Sequence, residues 1–218
     1  MGFLKKTIPL TLSILIGAVA GVLISSALYA STGFSIFSRV REKPLPAEEV
    51  SNADMITLAY SILERIKDND FVALSRVAHP QHGILFSPQA TVAVSTNKRF
   101  SIEDIAAFGS DATTYVWGVY GASGEPIEMT PAEYFARFVF YKDYTAAPFV
   151  GFNHIVRTGN ALENITDVFP NIQFIEFHIP GSEQDPNEAF DWSTLRLGFE
   201  KYDGSLWLTV IVHSEWSA

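Results

Sequence analysis

The chain has 218 residues, of which 48% are hydrophobic, so it can bury the core of one domain of ordinary size. It contains no cysteine, which excludes disulfide bonds, thiolate catalysis, cysteine-based zinc sites and lipid attachment at a signal-peptide cysteine. Its formal net charge of −9 argues against nucleic acid and anionic lipid as partners, because phosphate binding needs clustered lysine and arginine.

The amino terminus has the pattern of an export signal or a membrane anchor. Lys5 and Lys6 precede residues 7–30, an apolar segment that contains no charged side chain. About 20 helical residues span the hydrocarbon core of a bilayer, so this segment is long enough to cross it once. We therefore predict that residues 1–30 form a transmembrane anchor, with a cleaved signal peptide as the alternative.

The charges around the apolar segment predict where the rest of the chain lies. Lysines before a single span favour the cytoplasmic side, which places the carboxyl-terminal domain outside a single-pass cell membrane protein. Cleavage would instead give a secreted protein. Residues 31–50 contain proline, glycine, serine and charges without a periodic apolar pattern, and we interpret them as a flexible tether. The globular domain then comprises residues 51–218.

Helix signals dominate the first half of this domain. Apolar residues recur at helical spacing from Met55 to Ile66, and capping residues predict helix starts at Ser51, Asp70, Ser101 and Thr130. Strand-like runs lie at 84–86, 91–94, 113–120, 152–156, 172–179, 192–202 and 205–216. Helices early and strands late predict an α+β domain, in which helices cover one side of a curved, mainly antiparallel sheet.

The last two strands are joined by Asp203-Gly204, which predicts a tight hairpin and fixes a register. If Tyr202 pairs with Ser205, one face is aliphatic and contains Leu195, Leu197 and Phe199 opposite Val212, Val210 and Leu208. The other face then contains Trp192, Thr194, Arg196 and Gly198 opposite Glu215, His213, Ile211 and Thr209. In the preceding strand, Glu176 and His178 share a face with Ile172 and Phe174. Such a half-polar face is typical of a ligand cavity, a solvated outer surface or a dimer surface.

Several motifs resemble a known superfamily. The segment Asp70-Phe71-Val72-Ala73-Leu74 through His79-Pro80, and the closing Asp203-Gly204-x-x-Trp207 strand that ends in His213, Glu215 and Trp216, resemble the NTF2-like superfamily. Uncharacterised exported or lipoprotein domains of bacteria are similar in His79-Pro80-x-x-Gly83-Ile84-x-Phe86-Ser87-Pro88, Trp117-Gly118-x-Tyr120, Gly124-Glu125-Pro126-Ile127 and Asp191-Trp192-x-x-Leu195-Arg196-Leu197. The resemblance covers about Asp70 to Trp216 and implies a cone-shaped fold of helices and sheet, without an activity.

The same resemblance suggests candidate chemistry. NTF2-like enzymes, such as ketosteroid isomerase and polyketide cyclase relatives, place acid and base groups inside the cone. A corresponding catalytic set here is His213 as base, Glu176, His178, and Arg196 to stabilise an anion. The structural alternative is an ion pair between Arg196 and Glu176 and a hydrogen-bonded His213 in the core. Candidate ligand-binding residues are Trp117, Trp192, Trp207, Thr194 and Thr209.

No motif predicts a cofactor or a metal. His79 and His82 offer two imidazoles, but no third ligand is adjacent to them. Our leading hypothesis is a non-catalytic module of the bacterial cell envelope that binds a small molecule or an envelope protein, with a homodimer as a further possibility. The alternative is a small enzyme that performs acid–base chemistry of the isomerase or lyase type.

Overall fold

The computed structural model describes residues 51–181 and 190–216. The anchor predicted at residues 1–30 and the tether predicted at 31–50 lie outside the described residues. Within the described ranges, no helix combines the length and the apolar character that crossing a membrane requires.

Four of the five helices begin where capping residues predicted them, and the fifth, which follows Asn164, was not predicted. They are α1 (Asn52–Lys67), α2 (Phe71–Ser75), α3 (Ile102–Ala107), α4 (Pro131–Tyr134) and α5 (Ile165–Val168), with a π-helical turn at Phe135–Val139 and a 3-10 turn at Tyr144–Ala146. Ser51, Ser101 and Thr130 each form a capping box, and Asp70 caps α2. These local signals specify the helix starts because the cap satisfies backbone N–H groups that have no partner within the helix.

The strands form one large and one small sheet. They are β1 (Ile84–Ser87), β2 (Lys98–Phe100), β3 (Tyr115–Val119), β4 (Pro126–Met129), β5 (Phe149–Phe152), β6 (Gln173–Ile179), β7 (Ser193–Tyr202) and β8 (Ser205–Glu215). The six-stranded sheet has the order β2-β1-β8-β7-β6-β5, and β3 pairs with β4 separately. Only the β1–β8 pairing of these described strands is parallel. The predicted α+β class with a mainly antiparallel sheet is confirmed.

Two predicted strands are wrong. Residues 91–94 are not a strand, because the Asn164 side chain takes the place of a neighbouring strand: its Oδ1 accepts the Val92 N–H at 2.8 Å and its Nδ2 donates to the Val92 carbonyl at 3.0 Å. The strand predicted at 152–156 lies earlier, at β5, because Asn153 adopts a φ of 48° and turns the chain away.

The hairpin turn is confirmed, but its register holds only near the turn. Asp203 and Gly204 have φ values of 48° and 71°, as a tight turn of this kind requires. Pairing follows the prediction from Tyr202–Ser205 to Phe199–Leu208, and Gly198 then pairs with Val210, so Thr209 is the extra residue of a β-bulge.

The bulge has a steric reason and a large consequence. A Cβ on Gly198 would lie 2.6 Å from Val210 Cγ1, so the missing side chain allows Val210 to pack directly against β7. Beyond the bulge every β8 residue faces the side opposite to the predicted one. Leu195 therefore pairs with His213, and Arg196 pairs with Val212.

Both faces of the large sheet are covered. On one face, apolar residues of α1 to α4 and the π-helical turn pack with Ile175, Phe177, Leu195, Leu197 and Ile211 in the main core. On the other face, a smaller core contains Leu85, Val92, Ile165, Phe169, Ile172, Phe174, Val210 and Val212. The second face was predicted to be a cavity or an exposed surface, but residues 153–172, the covering segment, pack over it.

Candidate functional site

The four candidate catalytic residues do not meet in one place. Because of the bulge, His213 lies on the helix side of the sheet, where its ring centroid is 5.6 Å from those of Phe138 and Tyr141. Glu176 and Arg196 lie on the opposite face, where they pair across β6 and β7, and His178 follows Glu176 on the same face. The sheet itself therefore separates His213 from the other three side chains.

Arg196 is the centre of a buried ion cluster. Its side chain is 0% exposed, its Nε donates to Glu176 Oε2 at 2.8 Å, and its Nη1 donates to Glu163 Oε2 at 2.8 Å. Glu176 is also 0% exposed, and its Oε1 accepts the backbone N–H of Val156 at 2.9 Å. The structure thus contains the Arg196–Glu176 ion pair that was the structural alternative to catalysis. This cluster fastens the covering segment to the sheet.

Three of the candidate ligand-binding residues are separated and have structural contacts. Trp117 stacks on Tyr134 in the main core at 3.8 Å between ring centroids, and its Nε1 donates to the Met129 carbonyl at 2.8 Å. Trp207 Nε1 donates to the Tyr202 carbonyl at 3.0 Å, across the hairpin turn. Thr209 is the bulge residue, and its hydroxyl donates to the Trp207 carbonyl at 3.2 Å. These contacts stabilise the main core and the hairpin of β7 and β8.

The other two candidates lie beside His178. Thr194 pairs with His178 across β6 and β7, and the Trp192 and His178 ring centroids are 6.1 Å apart. All three side chains are almost completely buried on the face that the covering segment protects. The sequence did not predict this grouping, since it placed His178 in the catalytic set and the other two residues among the ligand-binding candidates.

A pocket of about 320 Å³ opens near the carboxyl end of β8. Its wall consists of Pro88, Gln89 and Ala90 after β1, Tyr120 to Ser123 between β3 and β4, and Ile127, Phe138, Ala161, Glu215 and Trp216. Sequence reasoning did not predict this pocket. Its signal was present only in the motifs around Ser87-Pro88, Tyr120 and Trp216, which are far apart in the chain.

At the polar end of this pocket, Glu215 interacts with Arg137 and His213. Glu215 accepts hydrogen bonds from both Nη atoms of Arg137, and His213 Nε2 lies 3.2 Å from Glu215 Oε2. Burial opposes ionisation of Glu215, but His213 and Arg137 outweigh it and lower the pKa of Glu215 to about 2. Burial lowers the pKa of His213. At neutral pH, Glu215 in the pocket wall is therefore ionised, and the neighbouring His213 imidazole is neutral.

We expect His213 to make the folded domain sensitive to acid. Its folded pKa is below the ordinary value of 6.5, so between these two values the unfolded chain binds a proton that the folded domain does not. Stability should be unaffected by His213 above pH 6.5 and should decrease as the pH falls below it. In His213→Phe, urea unfolding between pH 7.5 and 5 should show a smaller decrease.

The matched control is the exposed His154. His154→Phe should retain the acid sensitivity of the unmodified chain. Some sensitivity should also remain in His213→Phe, because burial lowers the pKa of His79 and His178 as well. An unchanged pH slope in His213→Phe would contradict this account.

The described residues contain no group of three or more His, Asp or Glu side chains that could hold a metal ion. The two imidazoles singled out in the sequence stack on each other, with ring centroids 4.6 Å apart. His79 Nδ1 accepts the backbone N–H groups of Gln81 and His82 at 3.2 and 3.1 Å. His79 thus stabilises the loop before β1.

In comparisons with known proteins, no family model and no curated protein match this chain. Among solved structures, a domain from Xanthomonas campestris assigned as a calcium/calmodulin dependent protein kinase II association domain is 17% identical, with a TM-score of 0.31. The match covers 78% of this chain and 91% of that domain. A TM-score this low supports no conclusion about fold or function.

Proposed function

We propose that this chain is a membrane-tethered, NTF2-like binding module that takes up a small molecule in the pocket at the end of β8, outside the cytoplasm. The observation that carries the proposal is the pocket itself. Its volume of about 320 Å³ lies at the lower end of the range typical of small-molecule sites, and its wall combines aromatic and small apolar side chains with a few polar groups.

Contacts within the wall hold the pocket open in a defined shape. Gln89 Nε2 donates to the Val119 carbonyl at 2.6 Å, which joins the loop after β1 to the end of β3. A Cβ on Gly121 would lie 2.9 Å from Gln89 Oε1, so the glycine allows this close approach. Arg137 fixes the Glu215 carboxylate at the other end. Preorganised polar groups of this kind give specificity to a ligand site.

The same contacts favour binding over acid–base catalysis. Glu215 is a poor base because Arg137 and His213 stabilise its ionised form. His213 is only 1% exposed and is not part of the pocket wall. The hypothesis of an isomerase or lyase required His213, Glu176, His178 and Arg196 in one cavity, and the sheet separates His213 from the others. The described residues therefore do not bring this catalytic set together.

Other observations support the tether and the NTF2-like fold in this proposal. Lys5 and Lys6 before the uncharged residues 7–30 support a single span with the domain outside, and a cleaved signal remains the alternative. A mainly antiparallel six-stranded sheet with α1 to α4 on one face supports the NTF2-like cone, together with the motifs from Asp70 to Trp216.

The binding proposal is tested by native mass spectrometry of the full chain, purified in detergent from its source. We expect the unmodified chain to retain a small molecule. Ala161→Phe places a large side chain in the pocket and should reduce the fraction of protein that retains the molecule at least tenfold. The matched control is Ala112→Phe, at an exposed position outside the pocket wall, which should retain the molecule. Equal retention in both variants, or no retained molecule in the unmodified chain, would refute the proposal.

The tether is tested separately by membrane fractionation with amino-terminal sequencing. We expect the chain in the membrane fraction with Met1 or Gly2 at its amino terminus. A soluble protein that begins near residue 31 would show a cleaved signal instead. Neither result affects the test of the pocket, so the two parts of the proposal can fail independently.

A further inference from the structure

The covered face of the sheet contains a second group of polar side chains, distinct from the pocket. His178 Nδ1, Trp192 Nε1 and Thr194 Oγ1 are each buried and have no hydrogen-bond partner. The three residues are 6%, 2% and 0% exposed. A buried polar group without a partner is destabilising, so three of them side by side indicate a shared hydrogen-bond partner that the described side chains do not provide.

The three side chains are neighbours on one face. His178 and Thr194 are directly opposite each other on β6 and β7, where facing Cβ atoms are about 5 Å apart. Trp192 precedes Thr194 by two residues, and its ring centroid is 6.1 Å from that of His178. The three side chains are therefore close enough together to surround one small ion or one water molecule.

The chemistry of the group specifies an acceptor. The Trp192 indole N–H can only donate a hydrogen bond, and the Thr194 hydroxyl is free to donate. Burial lowers the pKa of His178, so its imidazole is neutral and can carry its proton on Nδ1. Three donors can then converge on one atom that accepts all three hydrogen bonds.

The surrounding charges favour an anion over a neutral acceptor. The Arg157 guanidinium carbon lies 5.7 Å from the centroid of the Trp192 ring, and both Arg157 and Lys142 act on His178 as nearby positive charges. Of the carboxylates nearby, Asp191 Oδ1 lies 3.1 Å from Lys142 Nζ, and Glu176 and Glu163 both bind Arg196. Arg157 is therefore the positive charge that lies directly beside the group.

We propose that His178, Trp192 and Thr194 form a buried binding site for a small inorganic anion of the size of chloride. The covering segment closes the site, since a Cβ on Gly159 would lie only 2.9 Å from Trp192 Cζ2. An anion there completes the hydrogen bonds of the three side chains. It also links β6 and β7 to the segment that covers them, next to the Arg196 ion cluster.

Crystals of the full chain soaked in sodium bromide test the site directly. We expect an anomalous bromide peak within about 3.5 Å of Trp192 Nε1 and Thr194 Oγ1, since bromide replaces chloride in such sites. A water molecule in that position without anomalous signal would overturn the proposal, and so would direct hydrogen bonds among the three side chains.

Chloride-dependent stability provides a second, independent test. Sodium chloride replaces sodium gluconate at constant ionic strength, and the urea midpoint of the full chain is measured. We expect the midpoint to rise with chloride concentration, because a ligand that binds only the folded state stabilises it. In Thr194→Val and Trp192→Phe, which remove one donor each, chloride affinity should fall at least tenfold.

Thr209→Val is the matched control. It removes a buried threonine hydroxyl from the same sheet, at the bulge, and should keep the full chloride response. In gluconate alone, Thr194→Val should be at least as stable as the unmodified chain, because the hydroxyl it removes then has no partner. Chloride responses that are equal in the unmodified chain, Thr194→Val and Trp192→Phe would overturn the proposal.

Discussion

Replacing Arg196 with methionine should destabilise the folded domain by about 3–5 kcal/mol, because it leaves Glu176 buried without its cationic partner. Methionine keeps much of the side-chain volume, so the loss is mainly electrostatic. Burial raises the pKa of Glu176 even with Arg196 present, and removing the guanidinium should raise it further. The deficit should thus be largest at neutral pH and should narrow as the pH falls and Glu176 takes up a proton.

Urea unfolding between pH 7.5 and 4 measures this effect. Lys67→Met is the matched control, since it breaks an ion pair with Asp143 in which both side chains are more than 40% exposed. Such surface pairs contribute about 1 kcal/mol or less. A similar loss of stability in Arg196→Met and Lys67→Met would show that the buried cluster does not anchor the covering segment.

Replacing Trp117 with alanine should also cost about 3–5 kcal/mol, the range for removing a large aromatic side chain from a core. Trp117 is fully buried, stacks on Tyr134 and lies edge-on to Phe86, with ring centroids 5.5 Å apart. The change would leave a cavity that these fixed aromatic rings cannot fill. Trp207→Ala, at the half-buried hairpin, should cost much less.

The two tryptophan variants also test whether Trp117 and Trp207 have structural roles. Both residues were predicted to contact a ligand, and neither is part of the pocket wall. The urea midpoint of Trp117→Ala should therefore be lower than that of Trp207→Ala, because Trp117 is the more deeply buried residue. If Trp117→Ala were as stable as Trp207→Ala, the stacked aromatic core would have to be more adaptable than its packing indicates.

Local features of the sequence predicted the parts of the fold that local interactions determine. Ser51, Ser101 and Thr130 predicted helix starts because each cap contacts residues within three positions of itself. Asp203-Gly204 predicted the hairpin because the turn depends on the φ values of two adjacent residues. The α+β class followed from the order of such segments.

The face on which His213 lies could not be predicted in the same way. It depends on the bulge at Thr209, which follows from the packing of Gly198 against Val210 and Ile172. Ile172 is distant from the hairpin in the chain, so no pattern within β7 and β8 contains this information. A shift of one residue then reversed the predicted environment of His213.

The sequence did not predict the pocket or the covered face of the sheet, because both depend on contacts between residues that are distant in the chain. The pocket wall brings together three loops that are far apart in the sequence, and Asn164 replaces a strand neighbour for Val92 through its side chain. The signal for the ion cluster was stronger, since Glu176 and Arg196 stood on facing strands of the predicted sheet. The sequence therefore predicted their ion pair, as the structural alternative to catalysis.

The position of β8 in the sheet determines when the domain can fold. This strand lies between β1 and β7, and Leu85 pairs with Val210 about 125 residues later in the chain. Contacts this distant in sequence form slowly, and here they require β8 to be made. A nascent chain that ends before Ser205 lacks the neighbour that both β1 and β7 need. During synthesis the domain should therefore stay open to chaperones and proteases until β8 has emerged.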